Sequence, residues 1–66
     1  MDSKKIGNRL KQLRGKKTLK TVSEDLGISD SALSAYELGK RRPKDDLKKK
    51  IAKYYGKSIE ELFYQD

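Results

Sequence analysis

The sequence predicts an all-α fold of five short helices. Apolar residues recur at helical spacing along the whole chain of 66 residues. The alternation of β-branched or aromatic side chains with polar ones, which marks strands, is missing. The single proline, Pro43, falls between two apolar stripes rather than inside one. This pattern favours a small helical bundle.

The first helix is predicted over residues 4 to 14. Ser3 can cap its start, and Gly15 supplies the residue type that commonly ends a helix. Its apolar residues stand at positions i, i+4 and i+7, namely Ile6, Leu10 and Leu13.

The second and third helices are separated by one tight turn. Thr18 can cap the second helix, which Gly27 ends, and Ser29 can cap the third. The residues predicted to face inward from these two helices are Val22, Leu26, Leu33 and Tyr36.

The fourth helix begins near Pro43 and ends at Gly56. Ser58 and Glu61 have the spacing of a capping box and open a short fifth helix. The apolar residues are Leu47, Ile51 and Tyr54 or Tyr55 in the fourth helix, and Ile59, Leu62 and Phe63 in the fifth.

Length and composition limit the class of protein. A chain of this size forms one domain, here residues 1 to 66, and buries only about 60% of its unfolded surface. It has no cysteine, so neither a disulfide nor a thiolate metal site is expected. No apolar run approaches the roughly 18 residues that span a bilayer, and residues 1 to 10 lack the apolar segment of a secretory signal. We expect a cytoplasmic protein with no membrane partner.

Catalysis is not expected. The chain has no histidine and no cysteine, which removes the usual general base, the thiol nucleophile and the nitrogen ligand for metals. Its acidic pairs are sequence neighbours that point to different sides of helices. We therefore predict no catalytic residue, no metal, no cofactor and no small-molecule ligand.

The most specific pattern lies in the helix-turn-helix unit, residues 18 to 38. It places two apolar residues one turn apart with a small residue between them, then a turn glycine, then three apolar positions. A small residue lets two helices approach at a steep angle, and glycine adopts the positive φ that a tight turn needs. The residues in this pattern are Val22, Ser23, Leu26, Gly27, Ile28, Leu33 and Tyr36.

With these residues the chain resembles the Cro and phage-repressor type of helix-turn-helix transcriptional regulator. The matching segments, in the family's order, are IGNRLKQLRGKKT, VSEDLGIS, ALSAYELGKRRP and IAKYYGKSIEELF. The resemblance implies a compact, five-helix, lambda-repressor-like DNA-binding domain, encoded by a bacterium or a phage. Two positions depart from the family's usual pattern: Leu19 stands where Gln commonly opens the second helix, and Ser23 stands where Ala is usual.

The resemblance also implies where double-stranded DNA would bind. Residues early in the third helix face base edges in the major groove, and the loop after that helix contacts phosphates. The predicted base-reading residues are Ser29, Asp30, Ser31, Ser34 and Ala35. The predicted phosphate-binding residues are Arg14, Lys17, Thr18, Lys20, Lys40, Arg41, Arg42 and Lys44. A helical wheel agrees in part, because it puts Ser31, Ala35 and Leu38 opposite the inward residues.

The charge distribution separates the predicted phosphate contacts from the predicted base contacts. All 17 basic residues lie in residues 4 to 20 and 40 to 57, whereas residues 21 to 38 hold four acids and no base, in a chain of net charge +7. Phosphate neutralisation supplies most non-specific affinity, and a few base-edge contacts supply specificity. The small residues of the third helix, and the basic loop after it, can alternatively form an ordinary solvated surface.

Two further predictions concern partners. Regulators of this type suit homodimers because two reading helices about 34 Å apart fit successive major grooves. The predicted dimerisation residues are Ile59, Leu62, Phe63 and Tyr64; the alternative is that Phe63 is wholly internal. A different function is a protein-binding module, such as an antitoxin or anti-repressor, which would suit the acidic reading helix and Leu38.

Overall fold

The computed structural model describes residues 3–64, and within that range the protein consists of helices and their connections, with no strand. This confirms the all-α prediction. The helices are α1 (Ser3–Arg14), α2 (Leu19–Leu26), α3 (Asp30–Glu37), α4 (Asp45–Tyr55) and α5, a single π-helical turn (Glu60–Tyr64). None of the helices in this range has the length and apolar composition needed to cross a bilayer.

Local capping interactions set the limits of α2 and α3, as predicted. The Thr18 hydroxyl accepts a hydrogen bond from the backbone N–H of Thr21 (3.1 Å), and the Ser29 hydroxyl accepts one from Ala32 (3.0 Å). Gly27 ends α2 with φ 71°, a left-handed conformation that costs glycine little. The turn between the two helices is therefore built from residues suited to it.

The predicted capping box opens α5. The Ser58 hydroxyl accepts from the N–H of Glu61, and the Glu61 carboxylate accepts from the N–H of Ser58, each at 3.0 Å. The hydrogen bond from the backbone N–H of Ser58 to the carboxylate, and secondly hydrogen bonding of the carboxylate to the Ser58 side chain, lower the pKa of Glu61. At the start of α4, the Asp45 carboxylate pairs with the Lys48 ammonium (3.9 Å).

All five helices contribute to one core. Every helix stripe predicted from spacing supplies buried residues, namely Ile6, Leu10, Val22, Leu26, Leu33, Tyr36, Ile51, Leu62 and Phe63. Ala52, which was not predicted, is buried with them. Phe63 is completely buried and Leu62 is 1% exposed. The last helix therefore closes the core of the protomer.

The N-terminal half of α1 lies directly against the end of α3. A Cβ atom added at Gly7 would lie 2.4 Å from the carbonyl oxygen of Glu37, so only glycine permits this approach. Beside it, Gly39 adopts φ 77°, and a Cβ there would lie 2.8 Å from the Cα of Lys4. These contacts hold α3 and the loop after it in a defined position on α1.

Candidate nucleic-acid interface

Ser23 and Asp30 join α2 to the first turn of α3. Ser23 is completely buried where the two helices meet, and its hydroxyl lies 3.0 Å from the carbonyl oxygen of Lys20. The same hydroxyl donates to a carboxylate oxygen of Asp30. The serine that replaces the usual alanine thus has a partner, and one carboxylate oxygen of Asp30 is directed at α2.

A concavity of about 390 Å³ lies between the start of α2 and the exposed side of α3. Its lining residues are Leu19, Asp30, Ser31, Ser34, Ala35, Leu38 and Lys40. Four of the five predicted base-reading residues therefore share one surface. The fifth, Ser29, uses its hydroxyl as the cap of α3.

Leu19 and Leu38 line this concavity although neither was predicted to read bases. Leu38 is 57% exposed at the end of α3, and Leu19 is half-buried at the start of α2. The helical wheel already placed Leu38 beside Ala35. In the sequence, Leu19 was noted only as a departure from the family's usual pattern. Its neighbours along the chain do not indicate which part of α3 its side chain faces.

The loop after α3 carries four of the predicted phosphate-binding residues. Lys40, Arg41, Arg42 and Lys44 are all exposed, while Pro43 between them is buried. The loop is anchored at both ends: the Lys40 N–H donates to the Ala35 carbonyl (2.9 Å), and the Arg42 Nε donates to the Ser3 hydroxyl (2.6 Å). Lys40 lines the concavity, while the Arg42 side chain is held against the start of α1.

Arg14 forms an internal ion pair. Its guanidinium donates to both carboxylate oxygens of Glu37, at 2.8 and 3.1 Å, and to the backbone carbonyl of Lys17 at 2.8 Å. The Glu37 side chain is only 6% exposed, so the pair is largely shielded from water. The hydrogen bond to Glu37 raises the pKa of Arg14. We therefore leave Arg14 out of the proposed phosphate-binding set, because three of the five N–H groups of its guanidinium already donate inside the protein.

The remaining predicted phosphate ligands lie around the start of α2. Lys17 and Lys20 are exposed, and Thr18 caps the helix. The Lys17 ammonium lies 3.1 Å from the Tyr54 hydroxyl and 4.9 Å from the centre of its ring. Tyr54 in turn donates to Asp25 (2.6 Å), so this corner of the surface is ordered by α4.

Tyr55 lies beside the Arg14–Glu37 pair and has an unusual hydroxyl. Within the described residues it is buried and makes no hydrogen bond. Burial, and secondly the negative charge of Glu37, raise the pKa of Tyr55 to about 12. Sequence periodicity left open whether Tyr54 or Tyr55 faces inward, and both are half-buried.

The four residues predicted for dimerisation divide into two groups. Leu62 and Phe63 are core residues, which matches the alternative that Phe63 is internal, and we correct their predicted role because they have no surface to offer a partner. Tyr64 is 52% exposed and Ile59 is half-buried. These two line a second concavity with Asp45, Lys48 and Lys49.

Comparison with known proteins adds one match. A family model described as helix-turn-helix matches residues 10–62, which is most of the chain and includes the whole of the concavity's lining. Searches of curated proteins and of solved structures found no significant match.

Proposed function

Because the chain belongs to the Cro/C1-type helix-turn-helix family of DNA-binding proteins, we propose that it binds double-stranded DNA sequence-specifically and acts as a transcriptional repressor. One observation supports this most: Ser31, Ser34 and Ala35 of α3 line a single concavity together with Lys40, the first cation of the loop after α3. That arrangement puts candidate base contacts and candidate phosphate contacts on the same side of the molecule.

In this proposal α3 enters the major groove, which is wide enough to admit a helix. The hydroxyls of Ser31 and Ser34 can donate to or accept from base edges, and the Ala35 methyl can contact a thymine methyl. Asp30 contributes less to base reading than its position implies, because Ser23 already donates to its carboxylate.

The exposed cations bind the phosphates on either side of the groove. Lys40, Arg41, Arg42 and Lys44 follow α3, and Lys17, Thr18 and Lys20 surround the start of α2. Such contacts release counterions and give affinity that does not depend on sequence. Among the acids of residues 21 to 38, Glu37 is paired with Arg14, whereas Asp30 keeps its negative charge although Ser23 donates to it, so Asp30 opposes part of this attraction.

We further propose that the protein binds as a homodimer through a face that contains Ile59 and Tyr64. Both lie at the second concavity, which leaves α3 exposed for DNA. A dimer would place two copies of α3 on successive major grooves.

The salt dependence of binding tests the proposal. If roughly four phosphates are contacted per subunit, a dimer should give a slope of log K against log salt near −7. Selection of bound sequences from a random duplex pool at fixed salt should return a motif with two half-sites. A slope shallower than about −2, or a pool without any motif, would contradict sequence-specific binding led by phosphate contacts.

A protein-binding role is the second candidate, and exposed Leu38 on α3 favours it. A module of that kind would pass through a heparin or duplex-DNA column at low salt. A DNA-binding protein would be retained and would elute as the salt concentration rises.

A further inference from the structure

We propose that Leu19, Ala35 and Leu38 form an apolar reading surface for the C5-methyl groups of thymine. This inference rests on the proposed function and specifies which base the α3 surface selects. The first observation is the exposure of Leu38, which has 57% of its surface accessible to solvent. Such exposure is notable in a chain where only 33% of the residues are hydrophobic. The other large exposed apolar side chain of the described residues, Tyr64, lies at the second concavity instead.

The exposed side of α3 has a polar end and an apolar end. Ser31, Ala35 and Leu38 stand at positions i, i+4 and i+7 and therefore share one helix face. All three line the same concavity, and Leu19 reaches it from the start of α2. The N-terminal half of the reading surface thus offers hydroxyls, and the C-terminal half offers methyl groups from two helices.

Thymine is the base that matches such a surface. In the major groove thymine presents an O4 acceptor and, alone among the four bases, a methyl group. A donor or acceptor placed against Leu19 and Leu38 would lose its water without gaining a partner, which is unfavourable. A thymine methyl in the same place would lose unfavourable contact with water.

Charge around the apolar surface argues for DNA as the occupant. Lys40 lines the same concavity, and exposed Arg41 follows it. A thymine methyl lies in a groove between two phosphate backbones. It can therefore contact an apolar patch while the phosphates contact the cations at the edge of that patch. The apolar face of a partner protein's helix would not need these cations.

The test replaces thymine by uracil. The selected site is synthesised with deoxyuridine in place of each thymidine, one position at a time, which removes the methyl and leaves base pairing unchanged. We expect a loss of about fourfold at one or two positions in each half-site, the equivalent of about 0.8 kcal/mol for one buried methyl. These positions should lie within about three base pairs of any position read by Ser31, because seven helical residues span about 10 Å.

Variants then locate the effect. Leu38→Ala and the polar Leu38→Asn should each bring the thymine-to-uracil ratio at one of these positions close to one. Lys53→Ala is the control, because it truncates an exposed side chain of α4 that lies outside both concavities and should leave the ratio unchanged. Thermal unfolding of each variant checks that the fold is retained.

The outcomes separate this inference from the proposed function. Absence of sequence-selective binding would overturn both. A clear selected motif in which every uracil substitution changes affinity by less than about 1.5-fold would overturn the inference alone. An unchanged thymine-to-uracil ratio in Leu38→Ala would also overturn it.

Discussion

The Asp30 side chain stabilises the fold, although the family resemblance places this residue among those that contact DNA bases. Its carboxylate accepts from buried Ser23, and it lies at the N-terminus of α3, where a negative charge is favourable. We expect Asp30→Ala to lower the free energy of unfolding by about 1 kcal/mol. The same change should tighten binding to every DNA sequence by a similar factor, because it removes a negative charge near phosphates.

The control for the Asp30 variant changes Ser23, the residue that donates to the Asp30 carboxylate. Ser23→Ala removes the hydrogen bond and keeps the charge, so stability should fall while DNA affinity stays nearly constant. Pool selection with both variants and with Asp30→Asn measures the motif. A preference relaxed at one base pair, with a cost of about 1–3 kcal/mol at that position, would instead assign cytosine reading to Asp30.

The Tyr55 hydroxyl gives the protein a pH-dependent stability. The pKa is about 12 in the folded protein and near 10 in the unfolded chain, so only the unfolded state ionises between these values. Stability is therefore fully present below pH 10 and falls as the pH rises from 10 to 12. Tyr55→Phe should remove this part of the decline, and at pH 7 it should be neutral or stabilising because it removes a buried hydroxyl without a partner.

Denaturant unfolding of the two proteins at several pH values between 7 and 12 measures that difference. Lysine deprotonation affects both proteins alike, so the comparison isolates Tyr55. Parallel curves for Tyr55→Phe and the unaltered protein would show that the hydroxyl is hydrated in solution.

At the scale of elements, Arg14 and Arg42 have different roles, although both were predicted from the sequence to bind phosphates. Arg42 lies in the exposed loop after α3, whereas Arg14 pairs α1 with the end of α3. We expect Arg42→Ala to weaken binding to all sequences alike, to make the salt slope shallower by about 1 per subunit, and to leave helical content unchanged.

Arg14→Ala is expected to act on stability instead. Removal of the guanidinium leaves the Glu37 carboxylate buried without its cation, a change that typically costs about 3 kcal/mol or more. Circular dichroism with denaturant would measure the loss. If Arg14→Ala kept its stability and lost DNA affinity, the arginine would belong to the phosphate-binding set after all.

At the scale of the whole molecule, we expect two adjacent residues of α5 to have different roles, one in folding and the other in the proposed dimerisation. Phe63 is completely buried and Tyr64 is 52% exposed. Phe63→Glu should unfold the domain, because loss of a buried phenylalanine alone costs about 3–5 kcal/mol and a small domain has little margin. Tyr64→Glu should leave a folded monomer that no longer binds two half-sites cooperatively.

Sedimentation of the unaltered protein and of Tyr64→Glu decides the assembly. A dimer that persists in Tyr64→Glu would place the interface elsewhere. Tyr64→Phe is the conservative control and should remain dimeric, since it loses only the hydroxyl that lies 3.1 Å from the Lys48 ammonium.

The sequence by itself determined the order of the helices, both ends of α2 and the start of α3, whereas the start of α4 at Asp45 has no side-chain cap that could mark it. Thr18, Ser29, Ser58 and Gly27 act on backbone groups within a few residues, so their effect is visible in the order of residues alone. The period of 3.6 likewise identifies the inward residues of each helix without knowledge of the others. The resemblance to the family then predicted five of the residues that line the concavity, four as base contacts and Lys40 as a phosphate contact.

Only the tertiary structure decided the partners of side chains that are distant along the chain. Arg14 meets Glu37 across 23 positions because Gly7 lets α1 approach the end of α3. Leu19 joins Leu38 in one concavity because α2 and α3 cross at buried Ser23. A cation or a leucine has the same chemistry at every position, and the helix that packs against it determines whether it pairs internally, fills the core or remains exposed for a ligand.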